Sequence, residues 1–287
     1  MVKYTYILII TLLLLSCNSK KTYYPNGKLK EEYNLKNNKK EGKCFLYYET
    51  GKIKEQHLLK LGINVDSSLF YRDNAEGSIS KKIKYLTKDT ILVQNFFENG
   101  ILKSEGKKVF NKKINYWKYY HSTGELSDYL EYLNINKKEY LNNRISYNKK
   151  RDTIFGKSNF YILKTVKDTF KTNQLIRFNL FVAAPFFSND SEVLAFIPKN
   201  LLSDFDSNFS NFENIEVDTI VNFKNDGIFH KNLSDNAPLN RIIGFDLSFS
   251  KAGIKHVRGY IEENNNNSSR LLFFDKTIVI EDVNDTE

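Results

Sequence analysis

The chain has 287 residues and a formal net charge of +9, with 18 tyrosines, 22 phenylalanines, one tryptophan and four prolines. This length is ample to bury a core as two domains, and the aromatic surplus favours strands over helices. Only two cysteines, Cys17 and Cys44, are present, which excludes a fold stapled by several disulfides.

The first 16 residues read as a targeting segment. Lys3 precedes an apolar stretch at 6–15, and the segment LLSC ends with a small residue before Cys17. This arrangement resembles the lipobox of bacterial lipoproteins, which implies a signal peptide over 1–16, cleavage before Cys17 and acylation of that cysteine by lipid chains such as palmitate. The stretch is too short for a stable membrane span. An uncleaved anchor and an ordinary signal peptide with an incidental cysteine are the alternatives.

We expect the protein to be located at the cell membrane or the outer membrane. Residues 17–22 form only a short tether, and no run of acidic residues follows Cys17, which favours a chain that faces the periplasm. A solvated lysine surface explains the positive charge most simply, and attraction to anionic head groups or acidic polymers is the alternative. We expect no nucleic-acid partner for an exported chain.

Several stretches of the chain share one frame. Residues 23–31 read YYPNGKLKE and residues 47–55 read YYETGKIKE, while FFENGIL and YHSTGEL begin at residues 96 and 120. A degenerate copy surrounds Gly77. The glycines of the frame recur every 23 to 26 residues, at Gly27, Gly51, Gly77, Gly100 and Gly124. Such a fixed period is typical of stacked supersecondary units.

Each copy has the composition of a β-hairpin. Asn-Gly or Thr-Gly supplies a turn with positive φ, and apolar residues alternate with lysines after it. Period-two geometry puts one apolar residue of each copy on a common face, namely Leu29, Ile53, Ile79, Leu102 and Leu126. Because a lone hairpin is marginal in water, each unit must bury its apolar face on its neighbours. We therefore predict an array of about five hairpins over residues 23–154.

The best copies resemble a known family. Residues 42–53, GKCFLYYETGKI, and 115–126, NYWKYYHSTGEL, are similar to the bacterial variant of the MORN repeat: glycine, a tryptophan position, Tyr-Tyr, two linker residues, Gly, Lys-Leu or Lys-Ile, and an acid. Only Trp117 keeps the tryptophan. In the other copies its place is taken by Cys44, Phe70 and Val93. The resemblance covers residues 20–150, and proteins of this variant are often labelled YwqK-family antitoxins.

The pattern changes after a charged break at 149–152, and we place a domain boundary near residue 155. Strands are predicted at 175–183, 193–197, 215–223, 242–249, 256–262 and 271–280. With polar loops between them, they predict an antiparallel β-sandwich over 155–287, immunoglobulin-like in outline. Residues 205–212 are a short helix or a loop packed by its phenylalanines. Residues 142–147 are expected to form a last strand pair that caps the array.

No residue pattern indicates catalysis. His57, His121, His230 and His256 show no metal-ligand spacing, and neither a nucleophile elbow nor a phosphate-binding glycine loop occurs. Cys44 fills the tryptophan position and reads as a small buried residue rather than a nucleophile. We therefore expect no enzyme, no metal site and no cofactor.

The aromatic residues of the repeats are the remaining candidates. Tyr24 and Tyr48 share one offset of the frame, and Tyr120 occupies the neighbouring one. One set is expected to pack inward, whereas an exposed tyrosine ladder flanked by lysines would bind a protein or a glycan. The candidate platform is Tyr24, Tyr48, Trp117 and Tyr120.

These observations predict an all-β, lipid-anchored, non-enzymatic envelope protein that binds another protein through its repeats. Two other functions stay open. One is neutralisation of a toxin by direct binding, which the antitoxin label implies, and the other is capture of an envelope glycan.

Overall fold

The computed structural model describes residues 19–188, 190–200, 204–228, 238–265 and 267–282. The predicted signal peptide, its lipid-attachment residue Cys17 and also His230 lie outside these ranges. The described part contains nineteen β-strands and, besides them, three short 3₁₀ turns at Phe155–Lys157, Phe212–Asn214 and Leu239–Arg241. The prediction of an all-β fold is confirmed.

The chain divides into two compact units. The first comprises Met1–Asn111 with Tyr120–Gly124, and the second comprises Lys112–Tyr119 with Glu125–Glu287. The last strands of the repeat region thus group with the C-terminal sheets. The domain boundary near residue 155 stays a prediction from the sequence.

The first unit is built of eight strands whose order in the sheet is their order in the chain. They are β1 (Ser19–Tyr23), β2 (Leu29–Lys36), β3 (Lys39–Tyr47), β4 (Ile53–Lys60), β5 (Ile63–Tyr71), β6 (Ile79–Tyr85), β7 (Thr90–Phe96) and β8 (Leu102–Val109). Neighbouring strands pair antiparallel. This is the predicted array of hairpins.

The glycine turns close the hairpin within each repeat. In the first, the Tyr24 N–H donates to the Lys28 carbonyl at 2.8 Å and the Gly27 N–H donates to the Tyr24 carbonyl at 2.9 Å. Gly27 has a φ of 81°, while Asn26 keeps a negative φ. A residue with a side chain is strained in this left-handed region, so this turn requires glycine at position 27 but not at position 26.

A second kind of turn joins one repeat to the next. Asn37 and Asn38 have φ values of 52° and 58°, and Leu61 and Gly62 have values of 51° and 82°. Two successive residues with positive φ form the two-residue hairpin turn that matches the twist of the strands. The β6–β7 connection differs, because it spans four residues, 86–89, and none of them has a positive φ.

Each glycine hairpin carries a β-bulge at the same place. The pairing register shifts at the first aromatic residue of the frame, which then faces the aliphatic residue after the glycine. The pairs are Tyr23 with Leu29, Tyr47 with Ile53, Tyr71 with Ile79 and Phe96 with Leu102. Leu29, Ile53, Ile79 and Leu102 therefore occupy equivalent pairing positions in the four hairpins of the first unit.

The second unit begins with β9 (Lys112–Tyr120), whose last residue, Tyr120, belongs to the first unit, and continues with β10 (Leu126–Ile135) and β11 (Lys138–Ser146). Eight more strands follow: β12 (Phe160–Lys164), β13 (Thr169–Lys171), β14 (Ile176–Ala184), β15 (Glu192–Pro198), β16 (Val217–Val221), β17 (Ile242–Leu247), β18 (Gly253–Asn265) and β19 (Ser268–Glu281). They form a three-stranded sheet in the order β12-β14-β17 and a five-stranded sheet in the order β13-β19-β18-β15-β16.

These two sheets pack face to face around one core. Strand β14 alternates buried and outward residues along its length, with Ile176, Phe178, Leu180 and Val182 turned inward. Their partners in the core include Val193, Ala195, Ile261, Leu272 and Ile278 of the larger sheet. The predicted sandwich is confirmed. The pairings within the two sheets are antiparallel except that between β13 and β19, which is parallel. The immunoglobulin-like outline stays a prediction.

The other face of the larger sheet is covered by a loop and by the last repeat strands. Phe205 and Phe209 are 1% and 2% exposed and pack with Phe273 of β19 and Ile135 of β10. Residues 205–212 are thus the loop packed by its phenylalanines. The expected strand pair at 142–147 is instead the end of the single strand β11.

Strand β11 is tied to β19 by polar side chains. Asn142, 1% exposed, donates from Nδ2 to the Phe273 carbonyl and accepts the Phe273 N–H at Oδ1, both at 2.7 Å. Tyr140 donates its hydroxyl to the Leu271 carbonyl at 2.7 Å, and Arg270 donates to the Asn142 carbonyl at 3.0 Å. Asn142 therefore stands in for a missing strand neighbour.

Asn142→Ala should lower the free energy of unfolding of the second unit by about 2–4 kcal/mol, because it leaves buried backbone groups of Phe273 without partners. Chemical denaturation followed by tryptophan fluorescence of Trp117 measures it. Lys138→Ala, at an exposed position of the same strand, is the control and should stay within about 0.5 kcal/mol of the parent. Equal stability of the two variants would contradict this role for Asn142.

Candidate functional site

The second aromatic position of the frame links each repeat to the next. The Tyr24 hydroxyl donates to the Tyr47 carbonyl, and the Tyr48 hydroxyl donates to the Tyr71 carbonyl, each at 2.7 Å. In the third repeat Arg72 takes this position and its guanidinium donates to the Phe96 carbonyl. These inter-repeat bonds span 23 or 24 residues of sequence, which is one period.

The glycine turns add a second line of inter-repeat bonds. Lys28 donates from Nζ to the Thr50 carbonyl at 3.0 Å, and Lys52 donates to the Asn74 carbonyl at 2.5 Å. The Asn99 amide donates to the Ser122 carbonyl at 2.9 Å. The polar side chains beside the turn glycines therefore make hydrogen bonds to the next turn in addition to contacting solvent.

A lysine lies over the ring at the second aromatic position. The Nζ atoms of Lys30, Lys54 and Lys103 lie 5.6, 5.8 and 5.6 Å from the ring centroids of Tyr24, Tyr48 and Phe97, respectively. Cations at this distance are attracted by the negative face of an aromatic ring. The lysine three residues after Gly27, Gly51 and Gly100 thus makes the same contact in three repeats.

The first aromatic position forms what we call the aromatic row: Tyr23, Tyr47, Tyr71, Phe96 and Tyr120. Tyr23 is 59% exposed and the others are half-buried. The hydroxyls of Tyr47, Tyr71 and Tyr120 donate to Glu32, Gln56 and Glu105 at 3.4, 3.4 and 3.2 Å. Burial and Glu105 raise the pKa of Tyr120 to about 12, so its hydroxyl stays a donor at neutral pH. The rings of the row are held in place yet reach solvent.

The tryptophan position of the frame is buried in four copies. Its occupants there are Cys44, Ser68, Val93 and Trp117, with exposures between 0% and 6%. Ser68 holds the place for which the sequence analysis chose Phe70. The glycine turn of that repeat is two residues longer, which shifts the alignment and explains the wrong choice.

A chain of hydrogen bonds surrounds Ser68. The Tyr85 hydroxyl lies 3.1 Å from Ser68 Oγ, Ser68 Oγ lies 2.8 Å from His57 Nδ1, and His57 Nε2 lies 3.0 Å from Glu55 Oε2. All three contacts are satisfied when the Tyr85 hydroxyl donates to Ser68, the Ser68 hydroxyl donates to His57 Nδ1, and His57 Nε2–H donates to Glu55. A catalytic serine must be reached by its substrate, and Ser68 is 0% exposed. We assign these hydrogen bonds around Ser68 a structural role.

Cys44 is a free, buried cysteine beside a charged pair. Its Sγ lies 3.7 Å from Glu31 Oε1, and Lys40 also contacts that carboxylate. Burial raises the pKa of the Cys44 thiol to about 11, and the attraction of Lys40 only partly opposes this. The thiol is therefore protonated and unreactive at neutral pH.

The four residues of the candidate platform occupy three different environments. Tyr24 and Tyr48 form the links between repeats, and Tyr120 belongs to the aromatic row. Trp117 is 2% exposed and presents almost no surface to a partner. Their role in binding stays a prediction, and the structure does not bring them together as one surface.

Tyr71 of the aromatic row was not predicted from the sequence. The copy around Gly77 was described only as degenerate, yet Tyr71 keeps the first aromatic position and Arg72 replaces the second. The spacing of 26 residues between Gly51 and Gly77 was the signal for this displacement.

Comparison with known families supports the repeat assignment in part of the chain. A family model described as a MORN repeat variant matches residues 19–37 and 40–60. The two matches coincide with the hairpins β1–β2 and β3–β4, so each matched segment is one structural repeat. Comparison with curated proteins finds no significant match.

Phe97→Tyr should raise the stability of the first unit by about 0.5–1.5 kcal/mol, because it supplies the hydroxyl that the fourth repeat lacks, opposite the Tyr120 carbonyl. Tyr48→Phe should lower it by a similar amount. Urea denaturation monitored by circular dichroism measures both. Tyr23→Phe at the exposed end of the row is the control. A Phe97→Tyr variant less stable than the parent would contradict the proposed geometry.

Cys44 should react with iodoacetamide at pH 8 about 100-fold more slowly than an unfolded cysteine, from its thiolate fraction alone. The variant Cys17→Ala leaves Cys44 as the one thiol, and mass spectrometry follows its alkylation. The folded-state pKa is raised, so the rate should rise as the pH passes from 9 toward 11. The same chain in guanidinium chloride is the control, and equal rates at pH 8 would overturn the assignment.

Proposed function

We propose that this protein is a non-enzymatic, lipid-anchored protein of the cell envelope that binds another protein through its MORN-like repeats. The aromatic row is the observation that supports it. The rings recur at a fixed period in the first unit, and neighbouring side chains hold three of their hydroxyls.

The row suits a protein partner for two reasons. Tyrosine offers a large contact area with few rotatable bonds, so its ordering on binding costs little entropy. Here that cost is lower still, because Glu32, Gln56 and Glu105 already fix Tyr47, Tyr71 and Tyr120. Aromatic residues held in this way are typical centres of protein interfaces.

The envelope location rests on the sequence around Cys17. Among the residues that the structure describes, no helix is long and apolar enough to cross a membrane. Two or three acyl chains on Cys17 would hold the protein on a bilayer, since each buried methylene contributes about 0.8 kcal/mol. The proposed anchor is therefore the lipid.

A photo-crosslinking phenylalanine analogue at position 47 or 71 should trap one envelope protein in cells. The same analogue at Ile63, which is 70% exposed and outside the row, is the matched control and should trap little. Affinity purification and mass spectrometry identify the product. Equal crosslinking from position 63 would exclude the aromatic row as the binding surface.

The parent and Cys17→Ala chains, purified from envelope fractions, separate the alternatives. Lipid mass on the parent together with one stoichiometric envelope protein supports the proposal. A soluble, unlipidated chain that carries a small toxin would instead support the antitoxin function. Bound glycan without any protein partner would support glycan capture.

A further inference from the structure

The second unit contains a cleft that the proposed function does not use. A cavity of about 570 Å³ lies between β11, the 3₁₀ turn Phe155–Lys157 and the residues after β14. A neighbouring cavity of about 690 Å³ shares Gly156, Pro185 and Phe186 with it. Each volume falls within the range of about 300–1,000 Å³ that is common for ligand sites. We call the two together the basic cleft.

Positive side chains dominate the walls of the basic cleft. Arg144, Lys157 and Arg270 line the first cavity and Arg241 lines the second. Asp128 is the single acidic residue of the lining, and it lies 4.0 Å from Arg144 Nε. Within the described part of the chain, no carboxylate comes within ion-pair distance of the other three cations.

Two of these cations are also poorly hydrated. Burial lowers the pKa of Arg270 and of Arg241 from the ordinary value, and the attraction of Glu263 opposes this only in part. The Glu263 carboxylate is itself occupied, since it accepts the N–H groups of Phe186 and Phe187 at 2.8 and 2.9 Å. A partly buried cation without an adjacent anion is costly. Arg270 already donates to the carbonyls of Leu141, Asn142 and Leu271, so these two cations contribute positive potential that attracts an anionic ligand to the cleft.

Asn159 adds a specific requirement. This side chain is 6% exposed and lines the first cavity, where Nδ2 donates to the Ala184 carbonyl at 3.1 Å. Its Oδ1 is buried and has no hydrogen-bond partner. Buried polar atoms are rarely left unpaired, so a ligand donor that reaches Oδ1 would be stabilised there.

The rim of the cleft is aromatic. Phe155 and Phe186 are 60% and 57% exposed, and the Arg270 guanidinium lies 5.7 Å from the centroid of the Phe186 ring. Two exposed phenylalanines beside several cations can cover an apolar side chain that is adjacent to a carboxylate.

We propose that the basic cleft binds an acidic peptide segment of the protein partner. The segment supplies an Asp or Glu carboxylate to Arg144 and Lys157, a backbone N–H to Asn159 Oδ1, and an apolar side chain to Phe155 and Phe186. These three groups occur together in adjacent residues of an extended peptide. The proposal rests on the proposed function, because it names the chemistry of that partner.

The test uses the full chain on beads and a random library of acetylated hexapeptide amides. Peptides retained by the parent should be enriched at least fivefold in Asp and Glu and should also carry apolar residues. The double variant Arg144→Glu, Lys157→Glu should lose this enrichment and bind a selected peptide at least tenfold more weakly. Lys149→Glu, Lys150→Glu changes the charge equally at exposed positions outside the lining, and it should bind like the parent.

Several results would overturn the proposal. They are selected peptides without acidic enrichment, binding unchanged in the Arg144 and Lys157 variant, and equal affinity for the peptide in which Asn and Gln replace its acids. Binding of oligogalacturonate but of no peptide would assign the cleft to an acidic glycan instead. Crosslinking from position 47 in the cleft variant reports separately on the aromatic row, so failure of the cleft and failure of the proposed function can be told apart.

Discussion

A side-chain hydroxyl that reaches the backbone of the next repeat is the interaction on which the first unit depends. A single hairpin has too little apolar surface to be stable alone, so each one needs a neighbour at a defined distance. Tyr24 and Tyr48 set that distance, because each hydroxyl bonds a carbonyl 23 residues later. Where the period lengthens, the longer Arg72 side chain makes the equivalent bond to Phe96.

The buried position of the frame shows how the array changes along the chain. Its occupant is small or polar in Cys44 and Ser68, and large only in Trp117. In β11 a buried side chain at a different place in the frame, Asn142, pairs through its amide with the backbone of Phe273 as a strand would. The terminal strand of a repeat array leaves backbone groups unpaired. Within the second unit, the Asn142 amide makes hydrogen bonds to the Phe273 backbone like those of a neighbouring strand.

Two surfaces of different chemistry follow from this construction. The aromatic row presents rings that neighbouring acids and amides hold in place, whereas the basic cleft presents cations and an unpaired amide oxygen. The row suits broad contact and the cleft suits a short charged segment. Under the proposed function, the row would contact an apolar surface of the protein partner and the cleft an acidic peptide segment.

The sequence alone determined the repeat, its glycine turns and the later strands, because positive φ at Gly27 and alternation along β14 are local properties. It also predicted Cys44 as a buried residue from its place in the frame. Only the tertiary structure showed that β13 pairs parallel with β19 and that Asn159 and Arg270 line one cleft. Those outcomes depend on contacts between residues far apart in the chain, which no local pattern encodes.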